Sequence, residues 1–373
     1  MSIKHIAMAT KKCSVCLLPC SRVCVCGKVS YCSVFCQKKD WSVHKAHCPT
    51  ISEKDLGDKG RGLVANRRIT MGQTVLAEKP FLLVNFRPDG QPLGEVLNQF
   101  KRLTKDKKSE YLRLGSHGRQ GRNGVNRILT IFDSNCVSVQ LTEQEDDWRG
   151  IYCKFSKTNH SCAPNCVINF SSTDREMKLV ASRNIQKGEE VVVNYLDPYR
   201  GKRLLLRFDR MRLLKKSWNF ACICEICSLT GQKLARNEEI KINIYNLETK
   251  QAQFRNIFNT QNAENSLTLE LAILELMGKL GAEMTREVPD SLMRCYHFGR
   301  VLQIRGVKMS QNPENFRRAA MSIADKLGES YVRRCKQREV VVDKFIAEAI
   351  RILVEDRKTN KVLREVTVIM WEP

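Results

Sequence analysis

The chain has 373 residues, enough for two or three domains, and its 42% hydrophobic and 28% charged residues are an ordinary globular balance. No run approaches the roughly eighteen apolar residues of a membrane span, and the opening MSIKHIAMAT is too short and broken for a signal peptide, so we expect an intracellular protein with no membrane contact. The 63 Lys and Arg against 40 Asp and Glu give a net charge of +23, which predicts an anionic partner such as nucleic acid, a nucleosome or an acidic protein face.

Eight of the 17 cysteines fall between residues 13 and 48, a segment called here the Cys-rich head. In a reducing compartment such a density is explained by zinc rather than by disulfides. Zinc takes four ligands in a tetrahedron, and closely spaced pairs supply two ligands from one turn. The pairs are Cys13-x2-Cys16, Cys24-x-Cys26, Cys32-x3-Cys36 and His44-x3-Cys48. Eight ligands predict two closed, structural zinc sites.

Beyond the head, the sequence predicts a β-rich middle and a helical tail. Apolar runs broken by glycine, such as GRGLVANRRI and QTVLAEKPFLLV, indicate strands and turns. A basic stretch of helical texture follows, and strand-like runs resume at ILTIF, CVSVQL, CVINF, MKLVAS and EVVVNYL. After Cys227, segments such as SLTLELAILELMGKLGAEM show apolar spacings of three and four, which predict amphipathic helices. The fold class is therefore α+β.

The stretch NHSCAPNC, residues 159–166, combines amides, an imidazole and two thiols in eight positions. A histidine alone is more often a buried core residue, and here only its neighbours indicate a site. Downstream, Cys222-x-Cys224-x2-Cys227 offers three zinc ligands and needs a fourth. The spacing leaves both cysteines of NHSCAPNC as candidates.

The order of the cysteine pairs in the head, with YCSVFCQKKDWSVHKAHC in its second half, resembles the MYND zinc finger. Ligand pairs interleave in that family, which implies Cys13, Cys16, Cys32 and Cys36 at one zinc and Cys24, Cys26, His44 and Cys48 at the other. A single residue separates Cys24 from Cys26 where the family usually has two, so Cys20 is an alternative to a member of that pair. The resemblance implies a module that docks proteins, often through proline-rich segments.

The segments KGRGLVA, NHSCAPNC and GEEVVVNYLDPY resemble, in this order, the SET protein-lysine methyltransferase fold. Together with the head they resemble the SET-and-MYND (SMYD) family over about residues 10–230. The resemblance implies S-adenosylmethionine as cofactor and a pseudoknot in which the NHSC segment crosses the segment that ends in Tyr195. It also implies Cys162 as the fourth ligand of a third, post-SET zinc, with Cys166 as the alternative.

Particular residues acquire roles from this resemblance. Tyr195 matches the catalytic tyrosine, whose hydroxyl orients the substrate amine. Phe220 is interpreted either as a cofactor contact or, nearly equally, as a core aromatic beside a zinc site. The cofactor contacts that the resemblance implies are Lys59, Arg61, Asn135, Asn159, His160, Tyr195 and Phe220.

We therefore predict a MYND zinc finger at 13–48, a β-rich SET domain at 55–200, a post-SET zinc segment at 201–230 and a C-terminal helical domain at 231–373, in a monomer with three zinc ions. The predicted function is S-adenosylmethionine-dependent N-methylation of lysines in histones or other proteins, regulating transcription in the nucleus and cytoplasm. The alternative is a catalytically silent adaptor that docks protein partners in transcriptional regulation. The intact NHSC and Tyr195 favour the enzyme.

Some features depart from the family's usual pattern. The finger precedes Gly60, whereas in many SMYD proteins it follows the glycine motif, so the order resembles the arthropod-type members. Arg61 is unusual at its position, and Lys157 and Thr158 precede Asn159 where an apolar residue is usual.

A basic surface would also repel a lysine-rich substrate unless acidic residues line the cleft. The acidic candidates are Glu143, Glu145, Asp146 and Asp147.

Overall fold

The computed structural model describes residues 11–20, 22–24, 29–86, 91–115, 124–139, 147–196, 205–254, 259–284, 287–304, 306–327, 331–332 and 335–337. The Cys-rich head has two short antiparallel strand pairs followed by a helix. The strand pairs are β1 (Lys11–Lys12) with β2 (Pro19–Cys20) and β3 (Arg22–Val23) with β4 (Ser30–Tyr31), and the helix is α1 (Val34–His47). Ser33 caps α1, because its hydroxyl accepts a hydrogen bond from the Cys36 amide at 3.2 Å.

Three small sheets form the middle of the molecule. Their strands are β5 (Ile51–Asp55), β6 (Arg61–Ala65), β7 (Thr74–Glu78), β8 (Leu82–Asn85), β9 (Val137–Val139), β10 (Trp148–Ile151), β11 (Asn159–His160), β12 (Cys166–Ser171), β13 (Glu176–Ala181) and β14 (Glu190–Val193). The strand orders are β8-β10-β9, β12-β13-β7 and β11-β14-β6-β5. In the last sheet, β11 runs parallel to β14, with His160 opposite Val193, and all other pairings are antiparallel. The NHSC segment therefore lies directly beside the strand that leads to Tyr195.

Three helices lie between β8 and β9: α2 (Pro92–Arg102), α3 (Lys105–Leu112) and α4 (Gly124–Asn135). The prediction of a strand at ILTIF is wrong, since these residues belong to α4. Ile131 and Phe132 are buried against α2 and α3 in a cluster that Ile128 also joins, a spacing of three and four that fits a helix face. The β-branched content of this run is thus overridden by tertiary packing.

The described residues after 205 are mostly helical, as the apolar spacing predicts. After α5 (Arg207–Trp218) come α6 (Gly231–Gln251), α7 (Thr260–Leu280), α8 (Val288–Ile304) and α9 (Pro313–Leu327). Buried residues of α7, α8 and α9 share one core with Val167 of β12 and Val180 of β13, so the tail packs on a sheet of the middle region. No helix among the described residues has the length and apolar character to cross a bilayer.

Candidate active site and cysteine clusters

Four cysteines converge beneath the NHSC segment. The sulfur atoms of Cys162, Cys222, Cys224 and Cys227 all lie within 4.8 Å of one another, and Cys162 Sγ is 3.5 Å from Cys227 Sγ. Zinc–sulfur bonds of about 2.3 Å in a tetrahedron place sulfurs roughly 3.8 Å apart, so this donor set fits zinc. Cys166 is buried in the sheet core, outside this group. The geometry thus brings together Cys162, and not Cys166, with the three downstream cysteines.

The electrostatics of this cluster also suit a divalent cation. A hydrogen bond with the Cys162 thiol lowers the pKa of Cys227 to about 7 and lowers that of Cys224 further. The pKa of Cys162 is raised, chiefly by its hydrogen bond with Cys222. Four thiolates this close repel one another, and a bound cation is what allows all of them to ionise.

Arg210 is a member of this site that the sequence did not reveal. It lies on α5 in the basic run RFDRMRLLKK, where a charged side chain is expected to be exposed, yet it is only 5% exposed. Its Nη2 approaches Cys227 Sγ at 3.9 Å, and its Nη1 donates to the Leu205 carbonyl at 2.6 Å. A buried guanidinium beside four thiolates offsets part of the net negative charge that a zinc–cysteine site carries.

The Cys-rich head holds two further groups. Cys13, Cys16, Cys32 and Cys36 form one, with sulfur–sulfur distances of 3.3 Å for Cys16–Cys32 and 3.8 Å for Cys36–Cys16. Cys24, His44 and Cys48 form the other, with His44 Nε2 3.2 Å from Cys24 Sγ. Members of the two groups therefore alternate along the chain.

The fourth predicted ligand of the second group, Cys26, lies outside the described residues. Cys20 is half-buried on β2 and belongs to neither group of described ligand atoms. Cys24 Sγ contacts His44 Nε2 and lies 3.9 Å from Cys48 Sγ. The geometry therefore favours Cys24 over Cys20 as a ligand of this group.

His160 connects the buried cysteine cluster to Tyr195. Its Nδ1 accepts a hydrogen bond from the Tyr195 amide at 3.0 Å, and its Nε2 lies 3.4 Å from Cys162 Sγ. With Nδ1 as acceptor, the neutral ring carries its hydrogen on Nε2, facing the sulfur. Burial lowers the pKa of His160 to about 4, so the ring is neutral at physiological pH.

Tyr195 lies at the centre of an aromatic cluster. Its ring centroid is 5.3 Å from those of His160 and Trp218 and 6.3 Å from that of Phe220. The hydroxyl donates to the Thr158 carbonyl at 2.6 Å. Burial raises its pKa, so the phenol stays protonated. Because its hydrogen is donated to Thr158, the oxygen can present its lone pairs to an incoming donor.

Ion pairs surround the other predicted cofactor contacts. Lys59 pairs with Glu190 at 2.7 Å, and Glu190 also accepts from Asn159 at 2.9 Å. Arg61 pairs with Glu53 at 2.9 Å, and Glu53 also pairs with Lys157 at 2.8 Å. Lys157 therefore has a charged partner at the position where an apolar residue is usual.

Asn135 stands apart from this group. At the end of α4, its amide donates to the carbonyls of Gly115 at 2.7 Å and Ile131 at 2.8 Å. Neither of these two hydrogen bonds, within the part of the chain that the structure describes, reaches the other predicted cofactor contacts. Of the acidic candidates for the cleft, Asp147 pairs with Arg149 at 2.6 Å. The other three, Glu143, Glu145 and Asp146, lie outside the described residues.

Asn165, within NHSCAPNC, was missed as a structural residue. It is fully buried, and its amide donates to the Glu190 carbonyl at 2.7 Å and accepts from the Val192 amide at 2.9 Å. The side chain thus satisfies backbone groups of β14 just before Tyr195. An amide five residues after His160 in the same motif was the available signal.

Comparison with known proteins agrees with this geometry. The SET domain family model matches residues 60–196, from the first glycine of the KGRG motif to the residue after Tyr195. This chain is similar to SET-domain proteins of the SMYD type. It is 25% identical over 222 residues to N-lysine methyltransferase SMYD2 of Homo sapiens, covering 58% of this chain and 50% of that protein. SMYD2-B of Xenopus laevis matches at 25% over 227 residues, with the same shares.

A third relative of this SET-domain chain is histone-lysine N-methyltransferase set5 of Schizosaccharomyces pombe. It is 25% identical over 187 residues, which cover 50% of this chain and 53% of set5. The chain thus spans about half the length of the curated relatives it matches.

Proposed function

We propose that this SET-domain protein is an S-adenosylmethionine-dependent protein-lysine N-methyltransferase. The observation that carries the proposal is the joint placement of His160, Tyr195 and Thr158. A half-buried, protonated tyrosine presents its oxygen beside an aromatic cluster, next to the NHSC strand. The names of the relatives, lysine methyltransferases in each case, support the same reaction.

The chain's side chains suit the cofactor. Lys59 offers a cation, Asn159 an amide and Phe220 an apolar face, a donor set that complements a carboxylate, an ammonium and a flat ring system. When bound, S-adenosylmethionine supplies the electrophilic methyl group. The residues that we propose to contact it are Lys59, Arg61, Asn159, His160, Tyr195 and Phe220, with Asn135 retained as a more distant candidate.

The residues around Tyr195 can prepare a lysine for methylation. A free lysine has a pKa of about 10.4, so its amine is mostly protonated and non-nucleophilic at neutral pH. Burial beside Tyr195, Trp218 and Phe220 disfavours the charged ammonium and lowers that pKa. The Tyr195 oxygen, acting as acceptor, orients the amine, and the neutral His160 holds the Tyr195 backbone in place. Tyr195 therefore acts by positioning and not as a phenolate base.

We further propose three structural zinc ions. Cys13, Cys16, Cys32 and Cys36 would hold the first, and Cys162, Cys222, Cys224 and Cys227 another. Cys24, His44 and Cys48 would hold the remaining ion together with Cys26. The head would then be a MYND-type finger that precedes the SET domain, and the domain limits would be those predicted above.

A second role, docking of protein partners, is favoured by the surface of the head. Among the described residues of the head, four apolar side chains are more than half exposed: Leu17 at 70%, Leu18 at 59%, Phe35 at 74% and Val43 at 64%. So much apolar exposure on a small module is typical of a protein-binding surface. The basic charge is consistent with contact to nucleosomes or nucleic acid, with histone or other protein lysines as substrates, and with a role in transcription in nucleus and cytoplasm.

Calorimetric titration of S-adenosylmethionine, combined with labelled methyl transfer to a protein mixture, tests the proposal. Binding at micromolar cofactor and label on protein lysines are expected. Absence of binding at millimolar cofactor would favour the adaptor function alone.

A further inference from the structure

The carboxylate of Glu190 lies where the three sequence motifs meet. Glu190 is the first residue of β14, in the GEEVVVNYL segment. Its Oε1 accepts a hydrogen bond from Asn159 Nδ2 of the NHSC segment at 2.9 Å. Its Oε2 pairs with Lys59 Nζ of the KGRG segment at 2.7 Å. One side chain therefore contacts two of the proposed cofactor-binding residues.

Gly62 of β6 packs closely against this arrangement. A Cβ on Gly62 would clash with Leu56 Cδ1 and would lie 2.8 Å from Asn159 Nδ2 and 3.1 Å from Glu190 Oε1, so these side chains would have to shift. The missing side chain at residue 62 therefore leaves space for the bond between Asn159 and Glu190.

Glu190 fixes the orientation of the Asn159 amide. An asparagine can present either its donor or its acceptor end, but a carboxylate only accepts. The Asn159 nitrogen accordingly faces Glu190 and also donates to the Arg61 carbonyl at 3.3 Å. Both amide hydrogens are then used, so Oδ1 is the end of Asn159 that remains for a ligand, and it can only accept.

We propose that Glu190 is a positioning residue that orders the amino-acid end of the cofactor. Held by Glu190, Asn159 presents an acceptor to the α-ammonium of S-adenosylmethionine, and Lys59 presents a cation to its α-carboxylate. Lys59 also neutralises Glu190, which alone would repel that carboxylate. This inference rests on the proposed function, since it assigns the groups that recognise its cofactor.

Calorimetry with S-adenosylhomocysteine and an analogue that lacks the α-amino group tests the assignment. Removing the amine should weaken binding to the unmodified protein by about tenfold, the size of one charge-assisted hydrogen bond. Glu190→Gln should weaken binding of S-adenosylhomocysteine by about tenfold. It should also largely abolish the discrimination, meaning the difference in affinity between the two ligands, because glutamine can face Asn159 with either end and no longer fixes its amide. Lys59→Met should weaken binding but retain the discrimination for the amine.

Glu176→Gln is the matched control. Like Glu190, Glu176 is the first residue of its strand and pairs with one lysine, Lys178, at 3.7 Å. This variant should bind both ligands as the unmodified protein does. Thermal melts and zinc content of each variant identify loss of folding. If Glu190→Gln fails to fold, retained discrimination in Lys59→Met still supports the assignment, and lost discrimination there overturns it.

The two hypotheses fail in different ways. If the unmodified protein discriminates and Glu190→Gln discriminates equally, the Glu190 assignment is wrong and the proposed function stands. Tighter binding by Glu190→Gln would also overturn the assignment, because it would mean that the carboxylate acts only by repulsion. If the unmodified protein binds neither ligand, the proposed function falls, and the assignment falls with it.

Discussion

Two four-cysteine clusters in this protein have the same donor atoms and different surroundings. The head cluster of Cys13, Cys16, Cys32 and Cys36 includes an exposed cysteine, Cys16, and among the described residues its hydrophobic cluster consists of residues of the same small module. The cluster of Cys162, Cys222, Cys224 and Cys227 lies beside Arg210 and His160, and through His160 it contacts the Tyr195 backbone. Zinc chemistry alone therefore does not set the role of a site, because the role depends on what the ligands contact.

Cys162→Ser should give the largest effect, since it breaks the cluster that is connected to the active site. We expect one zinc fewer per chain and a loss of cofactor affinity of at least about a hundredfold, because the proposed zinc would join the cysteines that follow α5 to the NHSC strand. Metal analysis and calorimetry measure the two quantities on one sample.

Cys166→Ser is the control for this variant. Cys166 is also buried in NHSCAPNC but belongs to the sheet core, so its loss should cost stability without releasing zinc. Zinc loss in Cys166→Ser, or unchanged affinity in Cys162→Ser, would show that the ligand is wrongly assigned.

Tyr195→Phe tests the residue that the cysteine cluster contacts through His160, and it should give the next largest effect. Methyl transfer should fall by about a hundredfold, the size expected when one positioned polar group is removed from a transition state. Zinc content and cofactor affinity should change little, since the aromatic contacts with His160 and Trp218 are kept. Single-turnover methyl transfer beside thermal melts separates catalysis from stability.

Tyr152→Phe provides the comparison. Tyr152 is fully buried, and its hydroxyl has no hydrogen-bond partner among the described residues, so its removal should leave methyl transfer unchanged. Equal activity in the two phenylalanine variants would contradict the role of the Tyr195 hydroxyl.

Arg210→Met tests whether the charge beside one of the two cysteine clusters matters. Loss of the guanidinium beside Cys227 should speed removal of one zinc by a chelator, by roughly tenfold, the usual cost of losing a residue that contacts a metal ligand. Arg212→Met, on the same helix but 68% exposed, should leave the rate unchanged. Similar rates in the two variants would mean that Arg210 serves packing alone.

The sequence predicts parts of this site well and other parts not at all. Ligand pairs such as Cys13 and Cys16 are visible because two donors from one turn leave a fixed local spacing. Arg210 and Glu190 are invisible, because their roles depend on contacts with residues 17 and 31 or more positions away. From the sequence alone, a charged residue on α5 is expected to be exposed, and only the packing shows that Arg210 is buried.

The same limit explains the wrong strand at ILTIF. Its β-branched residues favour a strand locally, and contacts with α2 and α3 decide for a helix. The β12 and β13 strands were predictable, since apolar side chains recur along each with one face in the core.

Cys16→Ser should give the smallest effect on methyl transfer, and it tests the comparison most directly. The head should lose one zinc, because Cys16 contributes one of four sulfurs and a serine hydroxyl is a poor substitute for a thiolate. Transfer to a small peptide substrate should stay within about twofold, since folding linked to that metal is confined to the head. Zinc content and peptide methylation measured on the same preparation check both expectations. Docking of protein partners should fall, because Leu17 and Leu18 follow the substituted residue directly and lose their fixed geometry. If peptide methylation instead falls as far as it does in Cys162→Ser, the two clusters are coupled, and the independence of the head from the active site is wrong.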